Sequence, residues 1–282
     1  MARAHELVPR LAERAAQAEV ERRLADDSIA ELSAAGLFRV LSPRRVGGLG
    51  GDLRAMLEIA RELAHGCGSA AWVTTIHNTC AWLVGLASAE AQGEVWAAGP
   101  DVRVAGVLAP TATARRIDKG LVISGRWSWA SGCLHAQWCL VGVPIVDASG
   151  QAIDHGLALV PAGELTIVDT WFQAGMRGTG SHTLVAEEVF VPEHRLLSFS
   201  QLLFSAVPVV PVAALVLVGP LLGLAAAALE RAIAEVSAAN STFLPGMTRA
   251  ASPSVQLALA EAATLVDTAH LHAYRAAADI DD

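Results

Sequence analysis

Three segments hold the side chains best suited to chemistry. The first is Cys67-Gly-Ser-Ala-Ala-Trp72-Val73, followed a turn and a half later by His77 and then Asn78. An imidazole titrates near neutrality, so a positioned His77 could take a proton from a substrate hydroxyl, with Asn78 orienting a polar substrate group. A lone histidine on so apolar a helix is more often a core residue. The second is Ser124-Gly-Arg-Trp127-Ser-Trp129-Ala130-Ser131-Gly132-Cys133, which sets an aromatic face and a hydroxyl beside a glycine at a strand end. The third is Asp169-Thr-Trp171-Phe-Gln-Ala-Gly175-Met176-Arg177-Gly178-Thr179-Gly180-Ser181, in which Trp171 is a second candidate wall, while Thr179 and Ser181 read as serving the fold. Flat apolar walls with a few hydrogen-bonding groups suit a planar ligand.

The remaining candidates carry less. His135 follows the Ser131 loop and reads as structural or surface, as do His65, His182 and His194. His270 and His272 stand two apart, which points their rings away from each other on a helix and argues against a metal site. Cys67, Cys80, Cys133 and Cys139 show no paired metal spacing and are too few for a disulfide scaffold, so they read as buried free thiols of a reducing compartment.

The elements that must position these groups fall into three blocks: 1–100, 101–200 and 201–282. Helical periodicity marks 11–20, 29–37 (with Gly36 near the end), 53–64, 70–86 and 89–97. The period then changes, and about six strands are expected over 102–108, 120–129, 138–146, 156–161, 165–170 and 184–191, with a hairpin tip at Val146–Gly150. Helices return over 212–239 and 255–278, with a loop between them. Helices, then strands, then helices make an α+β arrangement with a middle β-sandwich or barrel, not a βαβ fold.

Composition narrows the classes further. With 53% hydrophobic and 17% charged residues, the chain can bury enough surface to offset the entropy of ordering it. A net charge of −8 with a single lysine, Lys119, excludes a basic nucleic-acid binder. The mean hydropathy of +0.43 raises the question of a membrane. The charge-free run from Ala206 to Leu229 has the length to span one, but Pro208, Pro211, Pro220, Gly219 and Gly223 interrupt it and no cationic cluster flanks it. A buried helix is expected there, with no membrane partner. The first residues contain no apolar stretch of the signal-peptide kind.

Taken in order with Leu32-Ser-Ala-Ala-Gly36-Leu37-Phe38-Arg39 and Val189-Phe190-Val191-Pro192, these motifs resemble the acyl-CoA dehydrogenase superfamily, and within it the oxygenase components of two-component aromatic hydroxylases. The resemblance runs from about residue 28 onward. It implies an N-terminal helical domain, a middle β domain and part of a C-terminal helical bundle. It also implies reduced FMN or FAD from a separate flavin reductase, with O2 as co-substrate. An aromatic, phenol- or polyketide-like substrate would then be hydroxylated through a C4a-hydroperoxyflavin, in a cytoplasmic homotetramer or homodimer. On that likeness His77 and Ser131 are the catalytic candidates, His77 acting on the substrate phenol and Ser131 lying near flavin N5. Val107, Leu108, Ala109, Trp129, Ala130, Ser131 and Trp171 would hold the flavin. Some similar hydroxylases place a serine where this chain reads Val104-Ala105-Gly106. Family members also supply a further histidine and the last bundle helices from segments beyond the point matching Asp282. Two other activities fit the same superfamily: an acyl-CoA dehydrogenase and an N- or S-oxygenating enzyme. The dehydrogenase reading is disfavoured by the lack of a carboxylate over Pro211–Val218 and of an arginine near Asn240–Leu244 for a pyrophosphate.

Overall fold

The computed structural model describes residues 1–203, 208–238 and 248–281. Asn240–Leu244 and the first two residues of the Ala206–Leu229 run lie outside the described residues. Five helices come first: α1 (Ala2–Glu21), α2 (Asp26–Ala34), α3 (Leu53–Gly66), α4 (Gly68–Val84) and α5 (Ala89–Val95). Strands β1 (Val104–Val107), β2 (Ala112–Ile117), β3 (Gly120–Ala130), β4 (Trp138–Val146), β5 (Ala152–Pro161), β6 (Thr166–Val168), β7 (His182–Pro192) and β8 (Leu196–Ser198) follow. Helices α6 (Phe199–Leu203), α7 (Val209–Leu215), α8 (Val218–Ala238) and α9 (Pro253–Asp281) complete the described chain.

The strands form two four-stranded sheets, ordered β1-β4-β5-β8 and β2-β3-β7-β6. All neighbours are antiparallel except β1 and β4. Inward residues of both sheets, among them Ile123, Trp127, Val141, Val160 and Leu184, make one apolar layer. Two strands exceed the six expected from sequence. β2 reads Ala-Thr-Ala-Arg-Arg-Ile, a composition with little β-propensity that forms a strand because it pairs with β3 at a sheet edge. β8 has three residues, too few for a period to show. The expected hairpin tip joins β4 to β5, with the Asp147 carboxylate accepting the Ser149 and Gln151 amides at 2.8 and 3.0 Å.

The helices at the two ends of the chain share a single core. Leu7, Leu11, Met56, Leu57 and Leu63 pack with Val212, Val216, Leu222, Ala273 and Ala277. The helix expected over 212–239 is instead two pieces, α7 and α8. Pro220 falls in the first turn of α8, where its missing N–H is no loss. Gly219 and Gly223 let α8 approach α3 closely, since a Cβ on Gly223 would stand 2.2 Å from the Arg61 carbonyl oxygen. At the far end of α9, the Asp281 carboxylate accepts the Leu53 and Arg54 amides at 2.9 and 3.1 Å and so caps α3. All four cysteines are buried and unpaired, and burial pushes the Cys133 thiol up to about 11.

Candidate active site

One face of α4 and the end of β3 meet beneath α8. Trp72 and Ile76, four residues apart on α4, lie on that face. With Trp129, Ser131, Trp171, Met176, Thr179, Ser181, Leu221 and Leu224 they enclose a cavity of about 300 Å³ whose exposed lining is almost wholly apolar. Three tryptophans therefore stand around one patch of hydroxyl groups.

Trp129 reaches the cavity through an irregularity. Strand alternation would put Trp127 and Trp129 on the same face. Trp127 is fully buried, its indole N–H donating to the Gly142 carbonyl at 2.8 Å. Between Trp127 and Ala130 the register with β7 shifts, and Trp129 adopts a left-handed backbone with φ 67°. The ring is thereby turned outward, 73% exposed. So bulky a residue rarely holds this conformation, and such strain gathers at functional sites.

The hydroxyl groups form a chain whose direction can be derived. Trp72 Nε1–H, a donor only, gives its proton to Ser131 Oγ at 3.0 Å. At the other end the Thr179 hydroxyl donates to the Met176 carbonyl, an acceptor only, at 2.8 Å. Thr179 has one proton, so its 2.7 Å bond with Ser181 must receive the Ser181 proton. The 2.8 Å bond between Ser181 and Ser131 must then receive the Ser131 proton. With all four bonds made, Ser131 Oγ offers a ligand acceptor capacity and no proton. A flavin ring fits the chemistry of this lining: three indoles and aliphatic side chains around it, and an acceptor that matches the N–H its reduced form carries.

The other sequence candidates are placed as follows. Ala130 is buried in the sheet core. Val107 ends β1; the Leu108 and Ala109 carbonyl oxygens would each stand 2.4 Å from a Cβ on Gly142, so they lie over β4 and do not line the cavity. Trp171 lines it, its indole N–H donating to the Met176 carbonyl at 3.2 Å. His77 is fully buried on the neighbouring face of α4, edge-on to Phe38 with ring centroids 5.4 Å apart, and does not line the cavity. Gly132 separates it from the Ser131 region: its φ is +73°, and a Cβ there would stand 2.7 Å from His77 Nε2. Burial lowers His77 to about 3, so the ring is neutral at physiological pH. Asn78 accepts the Leu41 amide at 3.1 Å and donates to the Leu37 and Thr74 carbonyls at 2.7 and 2.8 Å, a structural set of bonds.

His135, expected at the surface or in a structural role, has a side chain 6% exposed, with Nδ1 4.0 Å from Asp26. Burial lowers it to about 4. His182 Nδ1 accepts the Thr170 amide at 3.3 Å. Sequence reasoning missed Ile76, Met176, Leu221 and Leu224, gave Trp72 no role, and assigned Thr179 and Ser181 to the fold. The spacing of Trp72 and Ile76 was the available signal on α4.

Comparison with known proteins agrees with this architecture. The family model for the N-terminal domain of acyl-CoA dehydrogenases matches residues 3–99. The HsaA oxygenase subunit of a flavin-dependent monooxygenase from Mycobacterium tuberculosis is 41% identical over 193 residues, 68% of this chain and 49% of that protein. The oxygenase component of the FADH2-dependent resorcinol hydroxylase of Rhizobium sp. is 40% identical over 186 residues, 66% of this chain and 45% of its own length. The solved structure of XiaF from Streptomyces sp., in complex with FADH2 and glycerol, superposes with a TM-score of 0.93 at 32% identity, covering 99% of this chain and 74% of that one. The chain has the acyl-CoA dehydrogenase-like fold. Within that superfamily it belongs to the oxygenase components of two-component flavin-dependent monooxygenases. It spans about half the length of the curated relatives it matches.

Proposed function

We propose that this chain forms the oxygen-activating part of a two-component flavin-dependent monooxygenase that hydroxylates a phenol- or polyketide-like aromatic substrate. A separate reductase supplies reduced FMN or FAD, and the enzyme works in the cytoplasm as a homotetramer or homodimer. The observation that carries this reading is the tryptophan-walled cavity with a polarised hydroxyl chain on one side. When bound, the reduced flavin supplies the electrons that activate O2. Ser131 Oγ would accept a hydrogen bond from the bound ring, and Trp72 and Ser181 hold that oxygen in place. Trp129 and Trp171 provide flat walls, and Ile76, Leu221 and Leu224 keep water out, which strengthens every polar contact inside. His77 lies fully buried behind Gly132 and lines no part of the cavity, so in this arrangement its neutral imidazole backs the strand end that carries Ser131 and does not meet a phenol.

Anaerobic titration with reduced and oxidised FMN and FAD, followed through tryptophan emission, tests the site. Oxygen and a panel of phenols are then admitted, and hydroxylated product is measured against released hydrogen peroxide. Tighter binding of the reduced ring together with hydroxylated product is the expected result. Absence of binding in either redox state overturns the reading. Tightly held oxidised FAD, bleached by an acyl-CoA, would establish a dehydrogenase instead.

A further inference from the structure

The wall of the cavity formed by Trp171 and Met176 belongs to a loop, Asp169–Arg177, whose middle residues Phe172 to Gly175 are exposed. Both ends of that loop are fastened to the C-terminal end of α1, by Glu19 in its last turn and by Arg22 just beyond it, far from them in sequence. At its start, the Arg22 guanidinium holds the Asp169 carboxylate through two bonds of 2.5 and 2.7 Å. The same guanidinium donates to the Trp171 carbonyl at 3.2 Å and lies over the Phe172 ring, 4.1 Å from its centroid. At its end, both oxygens of Glu19 accept the Arg177 amide, at 3.1 and 3.2 Å. Glu19 also accepts the Ser69 hydroxyl at 3.4 Å, and Ser69 opens the helix that carries Trp72 and Ile76. Gly178 completes the junction, since a Cβ there would meet Ala18 Cβ and Ser69 Cβ at 3.0 Å each.

We infer that Arg22 and Glu19 are positioning residues for the active site: the end of α1 clasps the 169–177 loop and so fixes the distance between the Trp171–Met176 wall and the Trp72–Ile76 wall. Neither residue lines the cavity, so Arg22 acts through the loop, and Glu19 through the loop and through Ser69 of α4. The fork of Arg22 serves three groups on consecutive stretches of one loop, a task for a planar guanidinium that a lysine cannot reproduce. Met176 and Arg22 both hold left-handed backbone, φ 53° and 57°, conformations that non-glycine residues keep only when their surroundings impose them. The consequence for function rests on the flavin-binding reading above, whereas the clasp itself does not.

The test uses Arg22→Gln, Asp169→Asn, Glu19→Gln and the exchanged pair Arg22→Asp with Asp169→Arg. Hydrogen exchange of the amides of 170–177 is read without flavin, and the Kd for reduced FMN and reduced FAD is read anaerobically. The single variants should speed exchange in that loop and weaken reduced-flavin binding by about tenfold each, the loss of one charge-assisted bond set. The exchanged pair restores the ion pair but not the contacts with Trp171 and Phe172, so it should recover part of both, which a general loss of stability would not allow. Unchanged exchange in Arg22→Gln and Asp169→Asn overturns the clasp. Faster exchange with unchanged flavin affinity overturns its link to the site. If the unaltered protein binds no reduced flavin, the functional reading fails while the exchange measurement still decides the clasp. Should Arg22→Gln not fold, Asp169→Asn decides the matter, because it leaves Arg22 its contacts with Trp171 and Phe172.

Discussion

Ser131 has one proton, and Ser181 receives it. Replacing Ser181 with Ala removes that acceptor and frees the Ser131 proton for a ligand. The preference for a ligand that donates should then weaken, and the ratio of oxidised to reduced flavin Kd should fall about fivefold, a little under the worth of one hydrogen bond. Titrations in both redox states measure it, and an unchanged ratio would show that the chain has no influence on ligand polarity. A second residue-scale effect comes from His77 and His135, lowered by burial to about 3 and about 4. Between those values and the ordinary histidine range near 6.5 the unfolded chain binds protons that the folded one refuses. Stability is therefore full above about pH 6.5 and falls as pH drops, by about 1.4 kcal/mol per pH unit for each group. His77→Gln should make the acid limb shallower, measured by urea unfolding from pH 7 to pH 4.5. Residue types alone made Ser131, Trp129, Trp171 and His77 legible as candidates. Their partnerships were not legible, because the direction of a hydroxyl chain depends on which carbonyl closes it, and Met176 O belongs to a turn with no periodic signal.

The elements were legible wherever burial imposes a period. β4 spans Trp138–Val146 as its run of β-branched and aromatic residues predicts, and the amphipathic α3 runs through Leu53 and Leu63 as expected. What escaped the pattern are the places where an element breaks its own rule. At the end of β3 the left-handed Trp129 reverses the alternation that Trp127 begins, and a window of sequence carries no trace of that reversal. The strain makes a specific prediction. Trp129→Gly suits the left-handed backbone and gives up a side chain already 73% exposed, so folding stability should stay within about 0.5 kcal/mol of the unaltered protein. Reduced-flavin affinity should nevertheless fall severalfold with the loss of an aromatic wall. Urea unfolding and anaerobic titration read the two effects separately. A marked loss of stability would mean that Trp129 is held for packing; unchanged affinity would mean that it is no part of the ligand wall.

At the scale of the whole molecule, the high hydropathy is only partly used up by the fold. Residues Val209–Ala238 include a stretch long and apolar enough to cross a membrane, yet 39% of that stretch is buried within this chain. Pro211, Pro220 and the close seat of Gly219 and Gly223 on α3 match a helix packed in protein. On α9, Leu257, Leu265 and Leu271 are 72%, 64% and 70% exposed, and Ile233 on α8 is 43% exposed. Single exposed leucines are ordinary, but several on two adjoining helices form the kind of surface that another protein covers. Covering it with copies of the same chain is the solution the proposed homodimer or homotetramer requires. Sedimentation velocity should therefore find a particle at a multiple of 29.3 kDa. Leu257→Glu combined with Leu271→Glu should move it toward that mass, with helix content unchanged, since both side chains already face outward. A monomer at micromolar concentration without substitution would remove self-association from the reading; association that survives both glutamates would place the contact elsewhere than α9.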